Sequence, residues 1–229
     1  MNILKFFNRG LFKHKIVSHE AVRRDHMLIK SFTVGQIQTN CYIVTDPVTL
    51  ECAVIDPGAE SNTILEYLDG NKLKCRVILL THGHFDHTGG VEALAEETGA
   101  KVYMNRKDVR HTAMDIGYHY QPPAGTIFVN EGDEIKVGSL VFQVLETPGH
   151  SEGGITYVCE RALFVGDTLF RDSCGRTDLP GGNGAEIMRS LKKLAELPGD
   201  YEVYPGHMEW TTLHRERSCN EFMRSAMEE

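Results

Sequence analysis

No two cysteines stand at the C-x-x-C spacing: Cys41, Cys52, Cys75, Cys159, Cys174 and Cys219 are scattered, several of them in apolar strand-like runs. Such spacing suits reduced, buried thiols and predicts a reducing cytoplasm rather than a disulfide framework. Long apolar runs are equally absent. Near the N-terminus Lys13, His14 and Lys15 break up any apolar stretch, so neither a secretory signal nor a membrane span is expected. An excess of positive charge is missing too: 24 Lys and Arg against 32 Asp and Glu leave a formal net charge of -8. That balance argues against a broad nucleic-acid footprint and makes anionic polymers poor substrate candidates. There is no internal repeat and no low-complexity linker. The 229 residues, 41% hydrophobic and 24% charged, have ordinary globular composition and are enough for a sizeable core.

Residues 1–26 differ from the rest. Ile3, Leu4, Phe7 and Leu11 fall on one helical face and Lys5, Arg9 and Lys13 on another, a basic amphipathic pattern that Gly10 weakens. Packing on the domain or disorder is the first expectation for this extension, and contact with an anionic membrane surface the second. From residue 27 to the end the chain reads as one domain.

Short strands are expected over Leu28–Val34, Cys41–Thr45 and Ala53–Ile55, punctuated by Gly35, Asp46-Pro47 and Asp56-Pro57-Gly58. A helix over Ser61–Leu68, capped by Ser61 or Asn62 and closed by Gly70, leads into a strand at Cys75. Further helices are expected over Val91–Thr98 and Arg106–Ile116, with a strand over Lys101–Met104 between them. The second half repeats this grammar. Strands are expected near Thr126–Phe128, Glu134–Ile135, Leu140–Glu146, Ile155–Cys159 and Ala162–Val165, followed by a glycine-rich loop. A helix over Ala185–Leu197, a strand over Tyr201–Tyr204 and a polar helix over Thr211–Met227 complete the chain. The sum is an α/β domain of two sheets between helices.

The stretch Thr81-His82-Gly83-His84-Phe85-Asp86-His87 puts three imidazoles and a carboxylate within six residues, directly after the apolar run ending at Leu80. In extended backbone, side chains two apart point the same way, so His82 and His84 share a side while Asp86 and His87 turn back toward them. Imidazole with carboxylate is a ligand set for zinc, iron or copper. Three further candidates end apolar strands, each just after a glycine: His150 in Thr147-Pro148-Gly149-His150, Asp167 in Val165-Gly166-Asp167, and His207 in Tyr204-Pro205-Gly206-His207. Seven ligands fit two four-coordinate sites if one carboxylate and one water are shared.

The set His82-x-His84-x-Asp86-His87, His150, Asp167 and His207, with Asp56 upstream, resembles the metallo-β-lactamase-fold hydrolases from about Met27 to about Met223. Within them it is most similar to the small glyoxalase II-like (hydroxyacylglutathione hydrolase-like) group, through Gly175-Arg176-Thr177-Asp178-Leu179-Pro180-Gly181-Gly182 and the stretch from Thr211-Thr212 to Glu216-Arg217. The resemblance implies a four-layer αββα sandwich with metals at the open edge between the sheets. It implies one divalent ion on His82, His84 and His150, a second on Asp86, His87 and His207, Asp167 bridging them, and Asp56 supporting from outside the ligand set. Zinc is the first expectation for the metal, with iron and manganese as others. Asp86 would also orient a shared hydroxide for attack on a carbonyl, one metal taking the developing oxyanion and the other a leaving thiolate. Thioesters suit that division, because sulfur leaves without a strong general acid.

Relatives with other chemistries are set aside on particular residues. The main secreted zinc β-lactamases usually place a cysteine where Asp167 stands, and di-iron oxygen-reducing relatives a glutamate where His84 stands. Nuclease relatives usually carry a large insertion, and 207 minus 167 leaves only forty positions for one. Two alternatives stay open: a persulfide dioxygenase holding one iron on His82, His150 and Asp167, and a metal-binding protein with no turnover. After His207 the sequence gives 22 residues (229 minus 207), so the helical lobe with which full-length glyoxalase II enzymes grip glutathione is expected to be missing or rebuilt. Arg176, Lys192 and Arg215 are candidate anchors for a carboxylate-bearing thiol in a small acidic thioester, and solvated surface charge is the competing reading. Cys174 lies in a polar loop with no base beside it in sequence, which suits packing better than nucleophilic attack.

Overall fold

The computed structural model describes residues 17–18, 22–24, 26–109 and 120–228. Two strands, β1 (Val17–Ser18) and β2 (Val22–Arg24), precede the meander of β3 (Met27–Val34), β4 (Thr39–Thr45) and β5 (Glu51–Ile55). Next come α1 (Ser61–Gly70), β6 (Lys74–Leu79), α2 (Phe85–Thr88), α3 (Val91–Thr98), β7 (Lys101–Met104), a 3-10 turn (Arg106–Asp108) and β8 (Ile127–Phe128). The second half runs through β9 (Glu134–Val137), β10 (Leu140–Glu146), β11 (Ile155–Cys159), β12 (Ala162–Gly166), β13 (Leu169–Phe170), β14 (Ser173–Cys174) and α4 (Gly184–Ala195). It ends with β15 (Glu202–Pro205), β16 (Thr211–Thr212), α5 (Leu213–Cys219) and α6 (Glu221–Glu228).

One sheet has eight strands in the order β1-β3-β4-β5-β6-β7-β8, with β2 also on β3, and the other six in the order β16-β15-β12-β11-β10-β9. Alternation along each strand explains how four layers form. Val44, Ile55 and Leu79 of the first sheet meet Phe142, Tyr157 and Phe164 of the second in the central core. Their neighbours in sequence, Ile43, Val54 and Ile78, face the other way, against Ile64 and Leu68 of α1 and Val91 and Leu94 of α3. On the far side Leu163, Val165 and Val203 pack against Leu191, Leu194, Leu213 and Met223 from α4, α5 and α6. Because both faces of β12, of β5 from Cys52 on and of β6 from Val77 on are buried, these stretches read as unbroken apolar runs rather than alternating ones. The αββα sandwich expected from the sequence is the fold observed.

The topology also decides where the ligands go. β5 and β6 are parallel, as are β12 and β15, and β10 runs in the direction of β12 because both are antiparallel to β11. The C-terminal ends of β10, β12 and β15 therefore share one edge of their sheet. Ile155 N–H donates to Thr81 O at 2.9 Å and Asn40 N–H to Gly206 O at 2.7 Å, which brings that edge against the C-terminal ends of β5 and β6.

Several local expectations change. Neither Ser61 nor Asn62 caps α1: Glu60, in the left-handed region at φ 48°, precedes the helix, and its carboxylate accepts from Gly35 N–H at 2.7 Å. Gly70 lies inside that helix, and the left-handed turn after it falls on Lys72 at φ 56°. The helix expected over Arg106–Ile116 is at its start a 3-10 turn followed by a bridge between Val109 and Tyr120. Its remainder lies outside the described residues. The single final helix over Thr211–Met227 is instead β16, α5 and α6. It breaks at Asn220, whose side-chain oxygen accepts from Phe222 and Met223 N–H and so starts α6, as Thr212 Oγ1 starts α5 by accepting from Arg215 N–H. The glycine-rich loop after β12 contains the β13–β14 ribbon. Within the segment read as an N-terminal extension, β1 and β2 pair with β3, whereas the amphipathic stretch lies outside the described residues. Among the described residues no helix is long and apolar enough to cross a membrane.

Candidate metal centre

Four loops deliver seven side chains to the edge where those strands end. His82 and His84 follow β6, His84 in extended backbone, with His82 Nε2 3.0 Å from His84 Nδ1. The short α2 then turns the chain, so that Asp86 and His87 face back toward them. His150, carried on the loop after β10, places its Nε2 2.9 Å from the same His84 Nδ1. Asp167 follows β12 and His207 follows β15.

The ligand atoms form three groups, each within 4.8 Å: His82, His84 and His150; Asp86, His87 and His207; and His82, His87 and Asp167. Asp167 stands between the first two, with Oδ1 3.5 Å from His87 Nε2 and Oδ2 3.5 Å from both His150 Nε2 and His207 Nε2. Asp86 Oδ2 is 3.2 Å from the Nε2 atoms of His87 and His207. The fold thus brings together the seven side chains that the resemblance implies as ligands, with Asp167 between the two outer groups.

Outer contacts fix the inward-facing atoms. His87 Nδ1 donates to Asp56 Oδ2 at 3.0 Å, and His150 Nδ1 to the Arg176 carbonyl at 2.8 Å. An oxygen acceptor on Nδ1 assigns the proton there and leaves the Nε2 lone pair facing the cluster. Asp56 also accepts from Thr81 N–H at 2.8 Å and Thr81 Oγ1 at 2.6 Å, so one buried carboxylate holds both ends of the loop from Thr81 to His87. Thr39 Oγ1 donates to Asp86 Oδ2 at 2.8 Å. Behind His207, the Pro205 carbonyl accepts from Tyr42 Oη at 2.7 Å and Asn40 Nδ2 at 3.1 Å.

Glycines allow the close approach. A Cβ on Gly206 would strike Asp167 Oδ1 and lie 2.7 Å from His87 Cε1. Gly166 adopts φ +50°, and a Cβ there would lie 2.6 Å from Thr81 Cβ.

The electrostatics favour a cation. Burial pushes the His82 imidazolium down in pKa, and the surrounding imidazoles push it further. Burial works against a charged His87 as well, but Asp167 and Asp56 outweigh it and raise its pKa. For His207 burial likewise lowers and the Asp86 hydrogen bond raises, with a net upward shift. Burial opposes the Asp86 charge, yet the facing imidazoles of His207 and His87 and the Thr39 hydroxyl hold that carboxyl well below the usual range. Three carboxylates around buried imidazoles form a well for positive charge. His87 Nε2 and Asp167 Oδ1, both buried, make no hydrogen bond. Buried polar atoms normally find partners, so unbonded ligand atoms facing each other fit a bound divalent ion.

The expected anchors are engaged with other partners or lie on the helix surface. Arg176 is 61% exposed and forms a two-point pair with Asp178, at 2.7 Å for each contact. Arg215 grips Asp172 through both terminal nitrogens, at 2.7 and 2.9 Å, and Glu216 at 2.8 Å, so its fork joins α5 to the β13–β14 turn. Lys192 is half-buried on α4. None of the three belongs to a ligand group. Cys174 packs at the edge of the outer core, and burial raises its thiol pKa, which opposes thiolate chemistry. Asp108 was not anticipated. It is fully buried beside the His82–His84 loop, yet in sequence it sits among residues with a helical pattern and carries no local signal.

The chain belongs to the metallo-beta-lactamase superfamily, whose family model matches residues 34–207. It is 31% identical over 211 residues to the hydroxyacylglutathione hydrolase GloC of Haemophilus influenzae, covering 87% of this chain and 99% of that one. Among solved structures, TTHA1623 in a di-iron-bound form is 37% identical, with TM-score 0.71 over 83% of this chain and 98% of the other. ETHE1 from Myxococcus xanthus is 30% identical, with TM-score 0.76 over 88% and 90% of the two chains. BLEG-1, a B3 metallo-beta-lactamase, is 33% identical, with TM-score 0.77 over 85% and 99%. A lactamase and a thioester hydrolase thus share this scaffold, and the absence of a cysteine at Asp167 does not by itself dispose of the lactamase class. The fold defines a metal-dependent enzyme and leaves its substrate to the site.

Proposed function

We propose that this protein is a dinuclear-metal hydrolase of small thioesters, similar in chemistry to glyoxalase II. The observation that carries the reading is Asp167, whose two oxygens face His87 on one side and His150 and His207 on the other, so that one carboxylate serves both ligand groups. His82, His84 and His150 would hold one ion and Asp86, His87 and His207 the other. Zinc is the first candidate, and iron or manganese suits the same donors. Two such ions supply Lewis acidity, which acidifies water and polarises a carbonyl and a departing sulfur.

The chain's own part is to hold, orient and exclude. Asp56 and the Arg176 carbonyl keep His87 and His150 in the tautomer whose Nε2 faces inward. Asp86, held ionised by its neighbours, can accept a hydrogen bond from attacking water and fix its direction. No protein nucleophile takes part, in keeping with the raised pKa of Cys174. The thioester class is favoured by the similarity to GloC and by chemistry in which a thiolate leaves without a dedicated acid. The reading includes a single catalytic domain over residues 27–229 and a cytoplasmic setting, which the buried free thiols of Cys41, Cys52, Cys75 and Cys159 favour.

Elemental analysis of the purified chain, combined with thioester hydrolysis and oxygen uptake with glutathione persulfide, tests it. About two ions per chain with hydrolysis of a hydroxyacyl thioester is the expected result. One iron per chain with oxygen uptake would make the protein a persulfide dioxygenase, a reading that the similarity to ETHE1 accommodates. Bound metal without turnover in either assay would make it a binding protein.

A further inference from the structure

Asp108 lies on none of the strands that carry ligands. It ends the 3-10 turn after β7, and its carboxylate is completely buried. Its Oδ2 accepts from Gly83 N–H at 2.9 Å and from Ser151 Oγ at 2.8 Å, and its Oδ1 accepts from Gly153 N–H at 2.6 Å. Gly83 is the residue between His82 and His84, and Ser151 follows His150. One carboxylate therefore ties together the two loops that carry these three imidazoles.

The fit leaves no slack. A Cβ on Gly83 would lie 2.6 Å from the Asp108 carbonyl oxygen, and a Cβ on Gly153 2.7 Å from Asp108 Oδ1. That carbonyl in turn accepts from Tyr120 N–H at 2.9 Å, which anchors the turn itself. The other ligands have different supports: Thr39 for Asp86, Asp56 for His87, and Asn40 with Tyr42 behind His207. Asp108 thus acts directly on both loops of the first group, which Asp56 reaches only through Thr81.

We propose that Asp108 is a positioning residue that sets the metal affinity of the His82, His84 and His150 group by locking its two loops in register, without touching metal or substrate. This rests on the metal reading given above. Outer partners of metal ligands typically change affinity 10- to 100-fold when removed. With Asp108 that change falls on one of two sites.

The test uses the full chain stripped of metal by a chelator, then titrated with Zn(II) against a chromophoric competitor and with Co(II) by its visible absorption. Asp108→Asn removes one acceptor from a carboxylate that receives hydrogen bonds from Gly83, Ser151 and Gly153. Ser151→Ala removes only the side-chain bond and keeps both backbone bonds, so it carries the test if Asp108→Asn does not fold. The expected result is two ions bound by the wild type. In Asp108→Asn one remains tight and one weakens roughly 10- to 100-fold, and in Ser151→Ala the same ion weakens less. Unchanged affinity at both sites with a lowered melting temperature would overturn the inference, as would equal weakening of both. A wild-type chain that binds no metal would remove the metal reading itself, an outcome distinct from these.

Discussion

Asp56 Oδ2 lies 3.0 Å from His87 Nδ1, with both side chains almost wholly buried, and the same carboxylate accepts from Thr81 in the residue before His82. Asp56 also has φ 49°, a left-handed backbone that asparagine adopts readily. Asp56→Asn therefore keeps the turn and removes the charge that orients His87. We expect the Asp86, His87 and His207 group to bind metal about 10- to 100-fold more weakly, with the His82, His84 and His150 group less affected. Competition titration with a chromophoric chelator measures it, and unchanged affinity would show that Asp56 serves only the turn.

A metal bound by the folded chain alone must stabilise it. At free metal 100-fold above its Kd the linkage amounts to about 2.7 kcal/mol per site, or roughly 5–10 °C in Tm for a chain of this size. Excess chelator should lower the melting temperature by that order, and added Zn(II) should restore it. A Tm indifferent to both would mean that seven converging side chains hold no ion of consequence.

The candidate ligands were legible in the sequence because their signal is local. Four fall within six residues, and the other three each end an apolar strand after glycine. The central strands were legible because burial on both faces demands unbroken apolar runs, as at Val77–Leu80. What could not be read depends on partners distant in sequence. Asp108 meets Gly83, 25 residues away, and Ser151, 43 residues away, and neither separation leaves a pattern. By charge alone Arg215 is a candidate substrate anchor, and the partner it pairs with in the fold, Asp172, is 43 residues earlier. β16 is two residues long and exists only because β15 lies beside it, so helical periodicity carried the expected helix through Thr211 and over the break at Asn220.

Gly206 tests the packing of the centre. Its absent side chain makes room for Asp167 and His87, and Gly206 N–H also donates to Gly166 O at 2.8 Å, so the backbone cannot retreat freely. Gly206→Ala should displace Asp167 and lower affinity for both ions, at least tenfold each if the site shifts as outer-contact losses do. Hydrolysis should fall with it. Gly99→Ala is the comparison: φ is +69° but no atom lies within 4 Å of a Cβ there, so about 1 kcal/mol of strain is expected, with metal binding intact. Equal metal binding by the two variants would argue against the close approach at Gly206.

Asp46 links the two sheets away from the candidate metal centre, and its titration sets an acid limit for the scaffold. Its buried carboxylate accepts from Val48 N–H at 2.8 Å, Ser139 N–H at 2.8 Å and Ser139 Oγ at 3.0 Å, joining the β4–β5 turn to the β9–β10 turn. Burial opposes its charge, but the hydrogen bonds from Ser139 and Val48 prevail and hold its pKa well below the ordinary carboxylate value. A depressed native pKa means that the unfolded chain takes up the proton first. The stabilisation is therefore complete above the unfolded value near ~4 and is lost as pH falls below it toward the native pKa. Asp46→Asn should lower stability at neutral pH by about 1–3 kcal/mol through lost or poorly matched hydrogen bonds. It should also flatten the acid side of the stability curve, so that wild type and variant converge as pH drops below about 4. Urea melts of the metal-free proteins between pH 7 and pH 3 make the measurement, since metal loss in acid would otherwise add its own slope. A difference that stays constant over that range would mean that the Asp46 charge contributes nothing to folding.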